Sequence, residues 1–173
     1  MDAHAMKQAL AALDRRLDRP TKLLIGGGAA MVLAHGMPLA TQDIDGLVYQ
    51  SALTQAELDP LVKAVARELH LPADWLNAYF NTFLYTLPAD FKDRLCRVHA
   101  GKQLTVYALS VEDLLILKCF AGRPKDVPHA RVLYRKARHR ALVDAHLQRL
   151  VEKNVPGARE AWDFYAEIED AAG

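Results

Sequence analysis

Two carboxylates stand at a spacing that suggests metal chemistry. Asp43 and Asp45 flank Ile44 in the stretch "TQDIDGLV". On an extended strand, residues two apart project from the same face, so both carboxylates would lie on one side of a sheet. Paired carboxylate oxygens suit a hard divalent cation such as Mg²⁺. The alternative for this motif alone is a solvated acidic edge of a sheet.

A run of three glycines precedes the acidic pair. Gly26, Gly27 and Gly28 follow the apolar residues "LLI" and precede the apolar stretch "AAMVLAHG". Glycines between a strand and a helix let the backbone approach a bulky anion, and the start of the helix offers unpaired amides to phosphate oxygens. The alternative is a turn that serves packing only. Taken together, the turn and the carboxylate pair supply both halves of a magnesium–nucleotide site.

The elements that must position these residues follow from periodicity and capping signals. Thr54 and Glu57 form a capping box before a helix that extends to about His70, and Ser110 begins a helix that Gly122 ends. Helices are also predicted over 5–17, over "GAAMVLAHG" up to Gly36, and from Pro124 onward, and strands over "KLLIGG", "DIDGLVY", "RLCRVHA" and "LTVYAL". The aromatic stretch "LPADWLNAYFNTFLYTLPADFKD" has no clear period, so its conformation stays open.

These elements predict an α+β protein with a small mixed sheet flanked by helices and a helical C-terminal part. The predicted domains are a core over 1–122 and a helical extension over 123–173 that packs on it. The composition, 51% hydrophobic and 25% charged with a net charge of +1, is that of a globular chain. No apolar run is long enough to span a membrane, and the two cysteines form no C-x-x-C motif. We therefore expect a cytoplasmic protein with no membrane partner.

The order strand, "GGG", helix and "TQDIDGLV" resembles the signature of the DNA polymerase β nucleotidyltransferase superfamily. Within it, the chain is similar to the small bacterial nucleotidyltransferases associated with toxin–antitoxin modules. The stretches "LPADWLN" and "LTVYALSVEDLLILKCFAGRPKD" resemble later segments of the same proteins, so the resemblance covers roughly residues 22–130. It implies a nucleotidyltransferase fold.

The resemblance also implies an activity. We expect a Mg²⁺-dependent nucleotidyltransferase that moves a nucleoside monophosphate from a nucleoside triphosphate to RNA, such as tRNA, or to protein. A toxin role and a cognate antitoxin are further expectations. Asp43 and Asp45 would be the catalytic metal ligands. The expected nucleotide-binding residues are Gly26, Gly27, Gly28, Thr41, Lys118, Arg123 and Lys125.

The three cations of this set have alternatives. Lys118 is the lone cation of an apolar helix, and its side chain can simply extend to the surface. Arg123 and Lys125 stand at the start of a helix, where a cation is disfavoured. A bound phosphate would compensate them, and Asp126 is the local alternative.

Departures from the family pattern favour a second hypothesis. Many relatives supply a third carboxylate from a later strand, whereas "LTVYAL" has none, and Asp90 and Asp93 are the nearest acids by sequence. Gly46 replaces a usual bulky apolar residue, which is expected to weaken the strand. The alternative is therefore a catalytically degenerate module that binds nucleotide, RNA or a partner protein. Its contact surface would be the basic row Arg131, Arg135 and Arg138, unless that row is only a solvated face.

Overall fold

The computed structural model describes residues 1–172, and these form seven α-helices and five β-strands. The helices are α1 Ala3–Asp14, α2 Gly27–Leu33, α3 Gln55–Leu69, α4 Val111–Ala121, α5 Val127–Lys136, α6 Arg140–Glu152 and α7 Ala158–Asp170. The strands are β1 Thr21–Ile25, β2 Ile44–Val48, β3 Leu76–Asn77, β4 Cys96–Ala100 and β5 Leu104–Ala108. Three short 3-10 helices cover Tyr79–Thr86, Phe91–Arg94 and Pro124–Asp126.

The five strands form one mixed sheet in the order β3-β2-β1-β5-β4. Strand β1 runs parallel to β5 and antiparallel to β2, with Ile25 opposite Gly46. Strand β3 pairs in parallel with β2, and β4 pairs antiparallel with β5 through an irregularity between Arg97 and His99. This arrangement confirms the predicted α+β class with a small mixed sheet flanked by helices.

The chain divides into two compact units, and the sheet belongs to the first, which comprises 1–81 and 95–109. In this unit α1 packs against α3 and β5, and α3 packs against β2. Fully buried apolar side chains form its core, namely Met6, Leu10, Leu13, Leu23, Ile25, Ile44, Leu58, Val65, Leu104 and Val106. Their burial removes apolar surface from water, which is the main driving force of folding.

Local signals predicted most of these elements. Thr54 and Glu57 form the expected capping box at the start of α3. The Ser110 side chain accepts the Asp113 amide, and Gly122 ends α4 in the left-handed region. The predicted helix from Pro124 differs at its start, since a 3-10 turn comes first and α5 begins at Val127.

The turn between β4 and β5 is stabilised by a side chain that lies far from it in the sequence. The carboxylate of Asp14, at the end of α1, accepts the backbone amides of Lys102, Gln103 and Leu104 at 3.0, 2.7 and 2.6 Å. Burial raises the pKa of Asp14, but these three hydrogen bonds outweigh it and lower the pKa overall. The ionised carboxylate therefore stabilises this turn.

The second unit, 82–94 with 110–173, is helical. Its central helix α4 packs against α5, α6 and α7, and most of its side chains are buried. Two acids near the start of α4 are satisfied internally, because Glu112 accepts the amides of Arg138 and His139 and Asp113 pairs with Arg94.

These units do not follow the predicted domain boundary. Helix α4 precedes residue 122, yet it belongs with the C-terminal helices. A core over 1–122 with a helical extension over 123–173 packed on it stays a prediction. Within 1–172, no helix is both long and apolar enough to cross a membrane.

Candidate functional site

The glycine turn lies directly against the acidic pair. Gly27 has a φ of +57°, in the left-handed region that side chains disfavour. A Cβ added there would overlap Oδ2 of Asp45 and come within 3.1 Å of its Cγ. The amide of Gly26 also donates to the carbonyl of Asp45 at 2.9 Å. Glycine is therefore the residue that lets the turn approach the carboxylate.

Asp43 and Asp45 both lie near Asn77, although Asp43 directly precedes β2, which begins at Ile44, whereas the sequence predicted both acids on the strand. Asp45 is opposite Asn77 in the β2–β3 register, and paired residues of neighbouring strands project to the same face. The Nδ2 group of Asn77 donates to Oδ2 of Asp43 at 2.8 Å. Ile44, between the two acids, is fully buried on the opposite face. Both acids are half-buried, so the pair faces an accessible side of the sheet edge.

Thr41 joins the pair to the glycine turn. Its hydroxyl lies 3.5 Å from Oδ1 of Asp43, the limit of a hydrogen bond. A Cβ added at Gly28 would lie 3.1 Å from the Cβ and Oγ1 of Thr41. Gly26, Gly27, Gly28, Thr41, Asp43 and Asp45 thus lie together in the first unit. Their roles in binding nucleotide and metal stay predictions.

Gly46 has a packing reason that its residue type did not reveal. A Cβ at this position would lie 2.8 Å from Cδ1 of Leu76 and 3.1 Å from Cγ2 of Ile25. The neighbouring strands β1 and β3 therefore fill the space that a larger residue would need. The expected weakening of β2 is offset, because these two side chains close over the glycine.

Asn77 is the polar neighbour of the acidic pair that sequence reasoning missed. It lies in β3, within the aromatic stretch for which the sequence predicts no conformation. The buried residue Trp75 anchors this segment, since its indole Nε1–H donates to the carbonyl of Val62 at 2.9 Å. Asparagine directly after the buried pair "WL" was the available signal, because polar residues that follow a buried strand lie at its end.

The segment after Asn77 runs along the glycine turn. The Oδ1 atom of Asn77 accepts the amide of Tyr79 at 3.0 Å. The ring of Phe80 packs against Gly26, where an added Cβ would lie 3.2 Å from Phe80 Cδ2. Tyr79 stands between these two anchors with 73% of its surface exposed. The exposed ring of Tyr79 therefore lies next in sequence to Phe80, which packs on the glycine turn, and two residues after Asn77, which contacts Asp43.

No third carboxylate completes a metal cluster within the described residues 1–172. No group of three or more His, Cys, Asp or Glu side chains is placed there to hold a metal ion. Asp90, one of the two acids nearest by sequence, pairs instead with Arg94 at 2.9 Å in the second unit. Asp93 lies in the short 3-10 helix Phe91–Arg94, which directly follows Asp90. Two carboxylates are nevertheless enough for Mg²⁺, which commonly takes one or two from the protein together with substrate phosphates.

Lys118 and Arg123 meet at Asp126 in the second unit. Lys118 Nζ lies 2.6 Å from Oδ1 of Asp126, and Arg123 Nε lies 2.6 Å from Oδ2. Burial raises the pKa of Asp126, but hydrogen bonds from Arg123 and Lys118 lower it overall. Asp126, the local alternative for Arg123, thus pairs with it and also with Lys118, whose side chain does not simply extend to the surface. A phosphate contact by these two cations or by the exposed Lys125 stays a prediction.

The basic row lies on the surface of the second unit. Arg131 and Arg135 are exposed and stand four residues apart on α5, and the exposed Arg138 follows the helix. The opposite side of α5 buries Ala130, Leu133 and Tyr134. Like charges at this spacing repel each other on a helix. A polyanionic partner would relieve this repulsion, and an RNA contact by the row stays a prediction.

Comparison with known proteins assigns the chain to a family. A family model matches residues 4–135, which include the glycine turn, both aspartates, Asn77 and Lys118. No curated protein and no solved structure matches the chain significantly. Because the matched residues span well over half of the chain, it belongs to the family described as "Nucleotidyltransferase of unknown function (DUF6036)".

Proposed function

We propose that the protein is a Mg²⁺-dependent nucleotidyltransferase that transfers a nucleoside monophosphate from a nucleoside triphosphate to RNA or protein. The observation that carries the proposal is the position of the Asp45 carboxylate against Gly27, with Asp43 hydrogen-bonded to Asn77, which lies opposite Asp45. It puts the acidic pair directly against the glycine turn between β1 and α2. Membership of the nucleotidyltransferase family supports the same reaction class.

The donor set fits Mg²⁺. Carboxylates are the hard oxygen ligands that this cation prefers, and Asp43 and Asp45 would hold it. When bound, it would neutralise charge on the triphosphate. The backbone amides at the start of α2, within the turn Gly26–Gly28, would donate to the phosphates. Asn77 and Thr41 would orient Asp43. In the reaction, an acceptor hydroxyl oxygen would form a bond to the α-phosphorus, the bond from that phosphorus to the α,β-bridging oxygen would break, and pyrophosphate would leave while the hydroxyl proton passes to water.

Tyr79 would contact the nucleobase. Its ring is largely exposed, its amide is held by Asn77, and Phe80 beside it packs on Gly26. Two residues of chain span at most about 7 Å, so the Cα atom of Tyr79 lies within about 7 Å of the Cα atom of Asn77. Aromatic rings stack on nucleobases with little preference among them.

The basic row supports RNA as the acceptor. Arg131, Arg135 and Arg138 are exposed and suited to a phosphate backbone. A toxin role with a cognate antitoxin remains part of the proposal on family resemblance alone. Expression should then inhibit growth, and Asp43→Asn with Asp45→Asn should remove that effect.

The test is binding and transfer by the full chain. ATP, GTP, CTP and UTP are titrated with Mg²⁺ into the protein and into the double variant Asp43→Asn, Asp45→Asn. The exposed acid Asp74 supplies a matched control as Asp74→Asn. We expect the double variant alone to lose nucleotide binding while its far-UV spectrum is unchanged. Equal binding by all three proteins would refute the site.

A second experiment separates the enzyme from the binding module. The protein is incubated with labelled nucleoside triphosphate and total RNA or protein. Aspartate-dependent transfer of label supports the enzyme. Tight RNA binding without transfer supports the degenerate module, which the neutral Asn77 beside the pair and the exposed basic row favour.

A further inference from the structure

Asn77 is held at both ends of its amide. Its Oδ1 atom accepts the backbone amide of Tyr79 at 3.0 Å, and its Nδ2 group donates to Oδ2 of Asp43 at 2.8 Å. The backbone N–H needs an acceptor and the carboxylate needs a donor, so only one orientation of the amide satisfies both. The side chain therefore presents N–H donors, not lone pairs, to the acidic pair.

This arrangement orients one ligand of the proposed metal site. Asp43 has Oδ2 directed toward β3 by Asn77 and Oδ1 toward the hydroxyl of Thr41. Residues that hydrogen-bond metal ligands in this way commonly change metal affinity by roughly 10 to 100-fold when they are removed. Asn77 thus acts on a metal through Asp43 and does not ligate it.

The same arrangement limits the number of ligand oxygens at the site. Asp43 and Asp45 supply two carboxylates, and Mg²⁺ commonly takes one or two from a protein. Asn77 faces them from the adjacent strand but is neutral, and its oxygen is already engaged by Tyr79. A second cation beside Asp43 would meet N–H donors, which repel it. Among residues 1–172, no third acid joins the pair to form a metal cluster.

We propose that Asn77 is a positioning residue that orients Asp43 and restricts the Asp43–Asp45 pair to a single divalent cation. The inference rests on the proposed function, because it assumes that this pair binds metal. It goes further in assigning the number of cations and the residue that determines that number.

The probe is Mn²⁺ alone, counted by electron paramagnetic resonance and by calorimetry on the full chain. The number of Mn²⁺ ions at the site is the number bound by wild type minus the number bound by the double variant Asp43→Asn, Asp45→Asn. We expect one Mn²⁺ per wild-type chain. Two ions per wild-type chain would overturn the inference while leaving the proposed function intact. Equal Mn²⁺ binding by wild type and double variant would overturn both.

Variants at residue 77 test the role of the amide. We expect Asn77→Ala to bind one Mn²⁺ about 10-fold more weakly, since Asp43 loses its donor. Asn77→Asp has nearly the same shape, so it covers the case in which the alanine variant does not fold, and it should bind a second Mn²⁺. Asn81→Ala, at an exposed asparagine of the following 3-10 helix, should match wild type. Unchanged affinity in Asn77→Ala, or a single Mn²⁺ in Asn77→Asp, would contradict the proposal.

Discussion

Asp45 and Gly27 are in direct contact at the C-terminal end of β1, and no methyl group fits between them. The contact brings an acidic side chain against the turn that separates β1 from α2. It also joins the two motifs that the sequence shows 18 positions apart. The candidate site is therefore a property of the β1–β2 pairing, in which Ile25 lies opposite Gly46.

Replacing Gly27 by alanine should disrupt this contact. Gly27→Ala places a Cβ on the Asp45 carboxylate and in a backbone region that costs a side chain roughly 1 to 2 kcal/mol. We expect weaker nucleotide binding and a lower free energy of unfolding, measured by titration and by urea denaturation. Gly36→Ala is the matched control, because Gly36 has a φ of +60° and nothing within 4 Å of an added Cβ. Equal effects of the two substitutions would mean that the Asp45 contact is unimportant.

Replacing Tyr79 should separate recognition of the base from recognition of the phosphates. Loss of one stacking contact costs roughly 1 to 3 kcal/mol, so Tyr79→Ala should weaken nucleoside triphosphate binding at least about fivefold. Binding of Mg²⁺ with inorganic tripolyphosphate should be unchanged, and Tyr79→Phe should match wild type. Tyr85, which is 62% exposed, provides the control Tyr85→Ala. If Tyr79→Ala lost affinity for the nucleoside triphosphate and for tripolyphosphate by the same factor, the substitution would have damaged the whole site.

Asp126 should make the second unit sensitive to acid. Its pKa in the folded protein is below the ordinary value of 3.8, so its stabilisation is complete above the unfolded pKa and is lost as the pH falls through the folded pKa. Asp126→Asn leaves Lys118 and Arg123 without this partner, and it should lower the free energy of unfolding at pH 7 by about 3 kcal/mol.

The pH profile provides the check on Asp126. The melting temperature of Asp126→Asn should fall less steeply than that of wild type between about pH 4 and pH 2. Asp163 forms an exposed pair with Arg159 in the same unit, and Asp163→Asn should change stability little. Parallel profiles for wild type and Asp126→Asn would show that this carboxylate is not the acid-sensitive group.

The basic row should contribute to RNA binding in a salt-dependent way. Replacing Arg131, Arg135 and Arg138 by alanine should make the negative slope of log affinity against log salt shallower by about 2. Each lost phosphate contact contributes roughly 0.7 to the magnitude of that slope on single strands. The matched triple variant removes Arg149, Lys153 and Arg159, which are exposed cations of the same unit. Filter binding at several salt concentrations measures the slope. The same slope in wild type and both variants would exclude the row as an RNA contact.

The features that the sequence predicted well depend on neighbours along the chain. The capping box of Thr54 and Glu57 spans four residues, and the placement of Asp45 on β2 needs only an extended backbone. Ser110 as the cap of α4 is equally local. Such signals depend on short-range hydrogen bonds, so a linear reading detects them.

The features that it did not predict depend on pairing between distant segments. Strand β3 has only two residues and exists because it pairs with β2, so the contact of Asn77 with Asp43 crosses 34 positions. The ion pair of Lys118 with Asp126 depends on how α4 and the following turn pack. Asp14 holds a turn about 90 positions away. No periodicity or capping signal records such contacts.

The buried indole of Trp75 makes the candidate site observable by fluorescence. The chain has two tryptophans, and Trp162→Phe would leave Trp75 as the single emitter. Its ring is fully buried, its N–H is bonded to Val62, and it lies two residues before Asn77. Any rearrangement of β3 on binding should therefore change the wavelength or intensity of its emission. The protein thus carries an intrinsic optical reporter two residues from Asn77, the side chain that hydrogen-bonds the proposed metal ligand Asp43.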